Sequence, residues 1–309
     1  MEVGAGDFMS FSYSVKEELI EANLSGQKLK PLLLGILMFS KKFSPEQILL
    51  QTENERVADC FCSLVGQSAG NPSAVLKRIK ARKNRRPLYS LSVENEETIK
   101  AIYNFLEIDF TNKDVGFRTE LIGKKKNFVA FTAGAFLACG SVSDPLKEYH
   151  LEFVVPEMTL CNALGEIFLS IGILAKQTER KKTYVVYLKE SENIEDVLTF
   201  MGAPKSSLEI MNVKILKNVR NKINRSVNCD SANIEKTIRA SEKQIEAIEL
   251  IEKNGAIASL PDDLIEIAEL RRENPDWSLK ELGKNLSSPI SRSGANHRIN
   301  RILKIAFKD

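Results

Sequence analysis

The chain has 309 residues, enough for two domains, and its 43% hydrophobic and 28% charged residues are ordinary for a globular protein. Its 44 basic and 41 acidic side chains leave a formal net charge of only +3, so any basic surface must be local. No apolar run approaches the roughly 20 residues a membrane helix needs, and the acidic, glycine-containing opening is no secretory leader. The change in character at Ser10 points to Met9 as the native start, with residues 1–8 an extension. The five cysteines, Cys60, Cys62, Cys139, Cys161 and Cys229, form no CxxC pair, and His150 and His297 are the only histidines. That supply excludes a Cys/His zinc site. The cysteines read as small core residues in a reducing cytoplasm, and His150 as a structural residue opening a strand.

In chain order, residues 13–23 read as a helix, with Ser14 and Glu17 spaced as a capping box. Residues 31–42 (PLLLGILMFSKK) form a short apolar helix containing Gly35. Then come a strand (47–53), a helix (56–68) and two strands (74–82 and 87–94) around a turn at 83–86. A helix (96–107) closes the series. The helix carries Val57, Cys60, Phe61, Leu64 and Val65 on one face. After a join at 108–123 the series repeats. Residues 131–145 (FTAGAFLACGSVSDP) give an apolar helix with Gly134, running into a Gly140-Ser141 turn. A strand (149–155), a helix (159–171), strands 175–178 and 183–189 around a turn at 179–182, and a helix (193–201) follow. Two αβαββα repeats, 29–106 and 127–203, are therefore expected. Glycine inside a helix costs about 1 kcal/mol against alanine. Its recurrence at matching places suggests two helices packed face to face.

Residues 204–255 are different in kind, a helical connector with no strand signal, ending near Gly255. Leu208, Met211 and Val213 begin its apolar spacing, and Ile234, Ile238, Ile245, Ile248 and Ile251 continue it. Lys214, Lys217, Arg220, Lys222 and Arg225 form a run without an acid, suited equally to phosphates or to water. From residue 256 three short helices are expected. The first is 261–273, with Pro261 just inside it. The second is 279–286, opened by a Ser278/Glu281 capping box. The third is capped by Ser291 or Ser293 and runs to about 307. Trp277 reads as a packing anchor. Three short helices ending in a basic one are the pattern of a helix-turn-helix.

On the last helix Ala295, Ile299, Ile302, Leu303 and Ala306 share one face, with Ser293, His297, Asn300, Arg301 and Lys304 opposite. Only the first turns of a recognition helix normally reach bases. Arg292, Ser293, Asn296, His297 and Arg298 are thus the candidates for bases or nearby phosphates, and Arg301 and Lys304 for the backbone. Further basic knots surround the first hairpin (Lys77, Arg78, Lys80, Arg82, Lys83, Arg85, Arg86), residues 124–126, and the second tip (Arg180, Lys181, Lys182). Of these, Lys83, Arg85, Arg86, Arg180, Lys181 and Lys182 are candidates for additional DNA contacts.

The duplicated glycine helix, followed each time by strand, helix, hairpin and helix, resembles the LAGLIDADG homing endonuclease fold. That resemblance implies an α+β domain whose two central helices each deliver a carboxylate to a metal site. Aligning the glycines puts Ser40 and Cys139 at the acid positions, and Lys41 and Gly140 at the final glycines. Neither Ser nor Cys replaces a carboxylate for a hard cation, and Glu46 and Asp144 lie past the required position. No catalytic residue, metal or cofactor is therefore expected. The closer resemblance is to the WhiA family of bacterial DNA-binding regulators, in the opening FSYSVKEELI, in GAFLACGSVSDPLKEYHLEF and in SLKELGKNLSSPISRSGANHRINRI. Cys139 departs from the small residue expected there. The resemblance implies a cytoplasmic, nucleoid-associated transcriptional regulator linked to cell division, chromosome segregation or sporulation. Its partner would be double-stranded DNA bound chiefly by the helix-turn-helix, and it would act as a monomer, with a protein partner as a second use for the duplicated domain. The rival readings are a homing endonuclease with residual activity and a protein- or RNA-interaction module.

Overall fold

The computed structural model describes residues 10–307 apart from 25, 84, 111–121 and 181–182. The proposed start at Met9, most of the join, and Lys181 and Lys182 therefore lie outside the described residues. The chain divides into two compact units, Met1–Leu216 and Lys217–Asp309.

The first unit opens with α1 (Phe11–Asn23), which starts at an extended Ser10 with no side-chain cap. Ser14 and Glu17 thus sit inside the helix and do not cap it. Glu17 instead lies 3.4 Å from the Arg56 guanidinium. The first repeat is α2 (Leu29–Met38), β1 (Lys42–Phe43), β2 (Ile48–Thr52), α3 (Glu55–Ala69), β3 (Leu76–Arg82), β4 (Arg85–Val93) and α4 (Glu96–Leu106). The second is α5 (Phe128–Cys139), β5 (Gly140–Val142), β6 (Leu151–Val155), α6 (Met158–Ser170), β7 (Lys176–Arg180), β8 (Thr183–Leu188) and α7 (Ser191–Met201). Each repeat carries one short strand more than expected, β1 and β5. Gly140 and Ser141 therefore lie in a strand where a turn was expected. Arg85 and Arg86 likewise belong to β4, leaving Lys83 in the turn.

Both sheets are antiparallel with the same order, β1-β2-β4-β3 and β5-β6-β8-β7. Leu50 faces Leu91 in the first register and Phe153 faces Val186 in the second. The inner faces pack on α2 and α5, the centre of the main core. Both glycines have a steric reason. A methyl group built on Gly35 would overlap the Phe131 carbonyl, and one on Gly134 would lie 2.9 Å from the Ile36 nitrogen. Phe153 links the helix pair to the outer layer, with ring centroids 5.6 Å from Phe136 and 5.7 Å from Phe168.

The connector is one helix, α8 (Pro204–Lys253), beginning in the first unit and ending in the second. Its first turns bury Ile210 and Val213, while Leu208 and Met211 are exposed. Ile234 and Ile238 are exposed too, so the helical spacing continues but burial resumes only at Ser241. Gly255, at φ 66°, closes the helix, with the Ala256 N–H on the Ile251 carbonyl. In the second unit Ile248 and Ile251 meet α9 (Asp262–Glu273), α10 (Leu279–Lys284) and α11 (Arg292–Phe307). Pro261 stands just before α9 and not inside it. Ala295, Ile299 and Ile302 form the seat of α11, as their spacing predicts.

Candidate nucleic-acid interface

The turn between α10 and α11 is fixed from both ends. The Ser278 N–H donates to Glu281 Oε2 at 2.7 Å and the Glu281 N–H to Ser278 Oγ at 3.3 Å, which completes the capping box. The backbone N–H of Ser278, and then its hydroxyl, hold the Glu281 carboxyl below its ordinary range. The Ile290 N–H donates to the Gly283 carbonyl at 2.8 Å, and a methyl on Gly283 would lie 2.7 Å from the Ile290 oxygen. Ser291 then caps α11, accepting from the Gly294 N–H at 3.2 Å. The resulting N-terminal turns present Arg292, Ser293, Asn296 and His297 as exposed side chains.

Arg271 braces this arrangement and was not singled out by sequence reasoning. It is 1% exposed, and its Nη1 donates to the Trp277 carbonyl at 2.7 Å and the Pro275 carbonyl at 3.1 Å. Ser241 Oγ donates to the same Pro275 carbonyl at 2.6 Å. Desolvation lowers the guanidinium pKa, and backbone oxygens stand in for the missing counter-ion. The signal was present in the spacing. Leu264, Ile267 and Ala268 lead at helical steps to position 271 on the buried face of α9.

Arg298 does not share the free face. It is half-buried, its Nε 3.4 Å from Asp263 Oδ2, and its Nη1 donates to the Asp263 carbonyl at 3.4 Å. Arg301 reaches the same carboxylate at 3.4 Å. On the other flank His297, Asn300 and Lys304, with Leu303 and Phe307, line a cleft of about 1020 Å³ together with Arg239, Glu242, Lys243 and Glu246 of α8. The seven α11 positions therefore fall into three settings: an exposed front, a pair tied to α9, and a cleft of mixed charge.

The ends of α2 and α5 are differently finished. Ser40 is buried, its Oγ 2.7 Å from the Leu37 carbonyl and 3.1 Å from the Lys42 carbonyl, so the hydroxyl closes its own helix end. Burial pushes the Cys139 thiol up to about 12. Beside it, Lys16 Nζ donates to the Leu137 carbonyl at 3.2 Å. Desolvation lowers this ammonium to about 8, partly offset by Cys139 and Glu53. A hydroxyl, a protonated thiol and an ammonium do not fit a divalent cation. Among the described residues no group of three or more His, Cys, Asp or Glu could hold a metal ion. Glu46 lies 3.4 Å from Ser44 Oγ, and Asp144 accepts from the Leu146 N–H at 2.9 Å, so both serve local turns. Arg180 lies 3.7 Å from Glu152, which also holds His150 at 3.1 Å. All five cysteines are free, with Cys60 and Cys161 buried and Cys229 exposed.

Comparison with known proteins covers both units. Residues 128–220 match the model of the WhiA LAGLIDADG-like domain and residues 223–306 that of the WhiA C-terminal HTH domain. The chain is 36% identical over 310 residues to the probable cell division protein WhiA of Clostridium tetani, covering 96% of this chain and 97% of that one. It is 35% identical to the protein of the same name from Clostridium perfringens, covering 96% and 98%. The crystal structure of full-length WhiA from Thermotoga maritima superposes with a TM-score of 0.57 at 25% identity, covering 97% of this chain and 98% of that one. No described helix is long and apolar enough to cross a membrane.

Proposed function

The chain belongs to the WhiA family of cell division proteins, and from that premise we propose that it is a non-catalytic, sequence-specific regulator of transcription that binds double-stranded DNA through α11. The observation that carries this reading is the braced helix-turn-helix. Its last helix is capped by Ser291, seated by three buried apolar residues, and fronted by exposed Arg292, Ser293, Asn296 and His297. Arginine and asparagine can make paired hydrogen bonds to guanine and adenine edges in the major groove. Lys304 suits a backbone phosphate, while the neighbouring cleft sets Arg239 and Lys243 beside Glu242 and Glu246. Arg298 and Arg301 share the Asp263 carboxylate, which offsets part of their positive charge, so their contribution is smaller.

In this reading residues 29–203 serve as a scaffold that has lost nuclease chemistry, with Lys83, Arg85, Arg86, Arg180, Lys181 and Lys182 as weak additional phosphate contacts. The protein would act as a monomer on the nucleoid, in the cytoplasm, in control of cell division, chromosome segregation or sporulation. The domain division at 28, 203 and 255 accompanies this reading. Incubating the full chain with supercoiled and linear duplex DNA, with and without Mg²⁺, tests it. Retarded but intact DNA is expected. Metal-dependent nicking would revive the endonuclease reading, and preferential capture of RNA over duplex DNA would support the interaction-module reading.

A further inference from the structure

The cavity where α1, β2, β4 and the end of α5 meet is built for an anion. It measures about 610 Å³, within the range of small-ligand sites. Three cations, Lys16, Arg85 and Arg86, line it against one carboxylate, Glu53. That carboxylate is already taken, because Arg82 Nη2 lies 2.7 Å from Glu53 Oε1. Lys16 directs one N–H to the Leu137 carbonyl at 3.2 Å, and an ammonium has three donors to place.

A second group in the same wall also lacks an acceptor. Asn54 is 5% exposed and uses its Oδ1 to take the Val57 N–H at 3.1 Å, capping α3. The amide orientation is thereby fixed, and its Nδ2, without a partner among the described residues, is closed off from a water-sized atom, so it lies behind the wall and makes no direct contact in the cavity. Hydroxyls of Ser10, Ser12 and Ser141 complete the rim, and the Arg86 guanidinium stacks over the Tyr13 ring at 4.8 Å. The unmatched groups lining the cavity are cations, and an oxyanion supplies what they lack.

We propose that this cavity binds a phosphate group, held by Lys16, Arg85 and Arg86. The chemistry is shared by a phosphate of the DNA backbone and by a free phosphorylated small molecule. Cys139, which the resemblance sets at an acid position, lies in the same wall as these cations, so the charge there is opposite to that of a carboxylate-lined metal centre. The proposal is independent of base reading by α11.

Inorganic pyrophosphate titrated into the full chain by calorimetry tests it. Saturable one-site binding is expected. Lys16→Gln and the pair Arg85→Ala/Arg86→Ala should each weaken it at least tenfold, while Lys147→Ala, an exposed cation elsewhere, leaves it unchanged. Circular dichroism melting of each variant separates lost binding from lost fold, and the arginine pair lies on the cavity wall should Lys16→Gln fail to fold. Displacement of pyrophosphate by a short duplex identifies the DNA backbone as the source, and failure to displace identifies a free phosphorylated ligand. No saturable binding, or equal weakening by Lys147→Ala, overturns the proposal.

Discussion

The two repeats finish their central helices in opposite ways. At the end of α2 the chain satisfies itself, since Ser40 bridges the carbonyls of Leu37 and Lys42. At the end of α5 the work is done from outside, by Lys16 of α1 beside Cys139. A duplicated fold can thus keep its backbone symmetry while each end acquires its own chemistry. The side chains in question, Ser40 and Cys139, are a hydroxyl and a thiol, and neither supplies an anionic oxygen. The shared feature is the close approach of α2 and α5, which still depends on Gly35 and Gly134.

That shared feature predicts the largest effect. Gly134→Ala should cost at least about 3 kcal/mol, because the added methyl meets backbone on α2 and not a movable side chain. Urea denaturation of the full chain measures it. A loss below about 1 kcal/mol would mean that the helices can part freely. Arg271→Met comes next, at roughly 2–4 kcal/mol, since it strips a charged donor from buried carbonyls. It should lower the melting of the second unit and leave the first unchanged, and one common shift of both transitions would contradict two independent cores.

Asn296→Ala should cost about 1–3 kcal/mol on a selected site and little on random DNA, whereas Arg298→Ala should cost less because its guanidinium is already spent on Asp263. Equal losses for the two, read by gel retardation, would remove that distinction. The smallest effect sharpens the contrast between the helix ends. The folded protein holds Lys16 near 8 against an ordinary value of 10.5. Between these values the unfolded chain binds the extra proton, so the contribution of Lys16 to stability rises with pH, by at most about 1 kcal/mol from pH 8 to 9. Burial raises the thiols of Cys60 and Cys139 to about 12, and those of Cys62 and Cys161 as well, and all four oppose Lys16 as the unfolded thiols ionise. The effect is therefore read as a difference: Lys16→Met should make the slope of stability against pH less positive than the parent's, and identical slopes would contradict this contribution.

Periodicity made most of the fold legible. The glycine helices, the four hairpin strands and the capped helix at Ser278 all follow from local rules acting within a few residues. What escaped was non-local. β1 and β5 are too short to show a pattern and exist only because β2 and β6 pair with them. Ser14 and Glu17 matched a capping box, but Phe11 is buried in the main core and the helix begins there. On α11, residue types marked the polar face, while the partners of Arg298 and the brace at Arg271 depend on where α9 lies. The apolar spacing of α8 was read as continuous. Its middle, from Ile215 to Ile238, is exposed.

Selection of bound sites from a random duplex pool by the full chain tests the central claim most directly, run beside the variant Ser293→Ala/Asn296→Ala/His297→Ala. The account predicts that the parent enriches a defined motif and that the variant loses it while still retaining DNA at low salt. Enrichment of the same motif by both would show that α11 does not read the sequence.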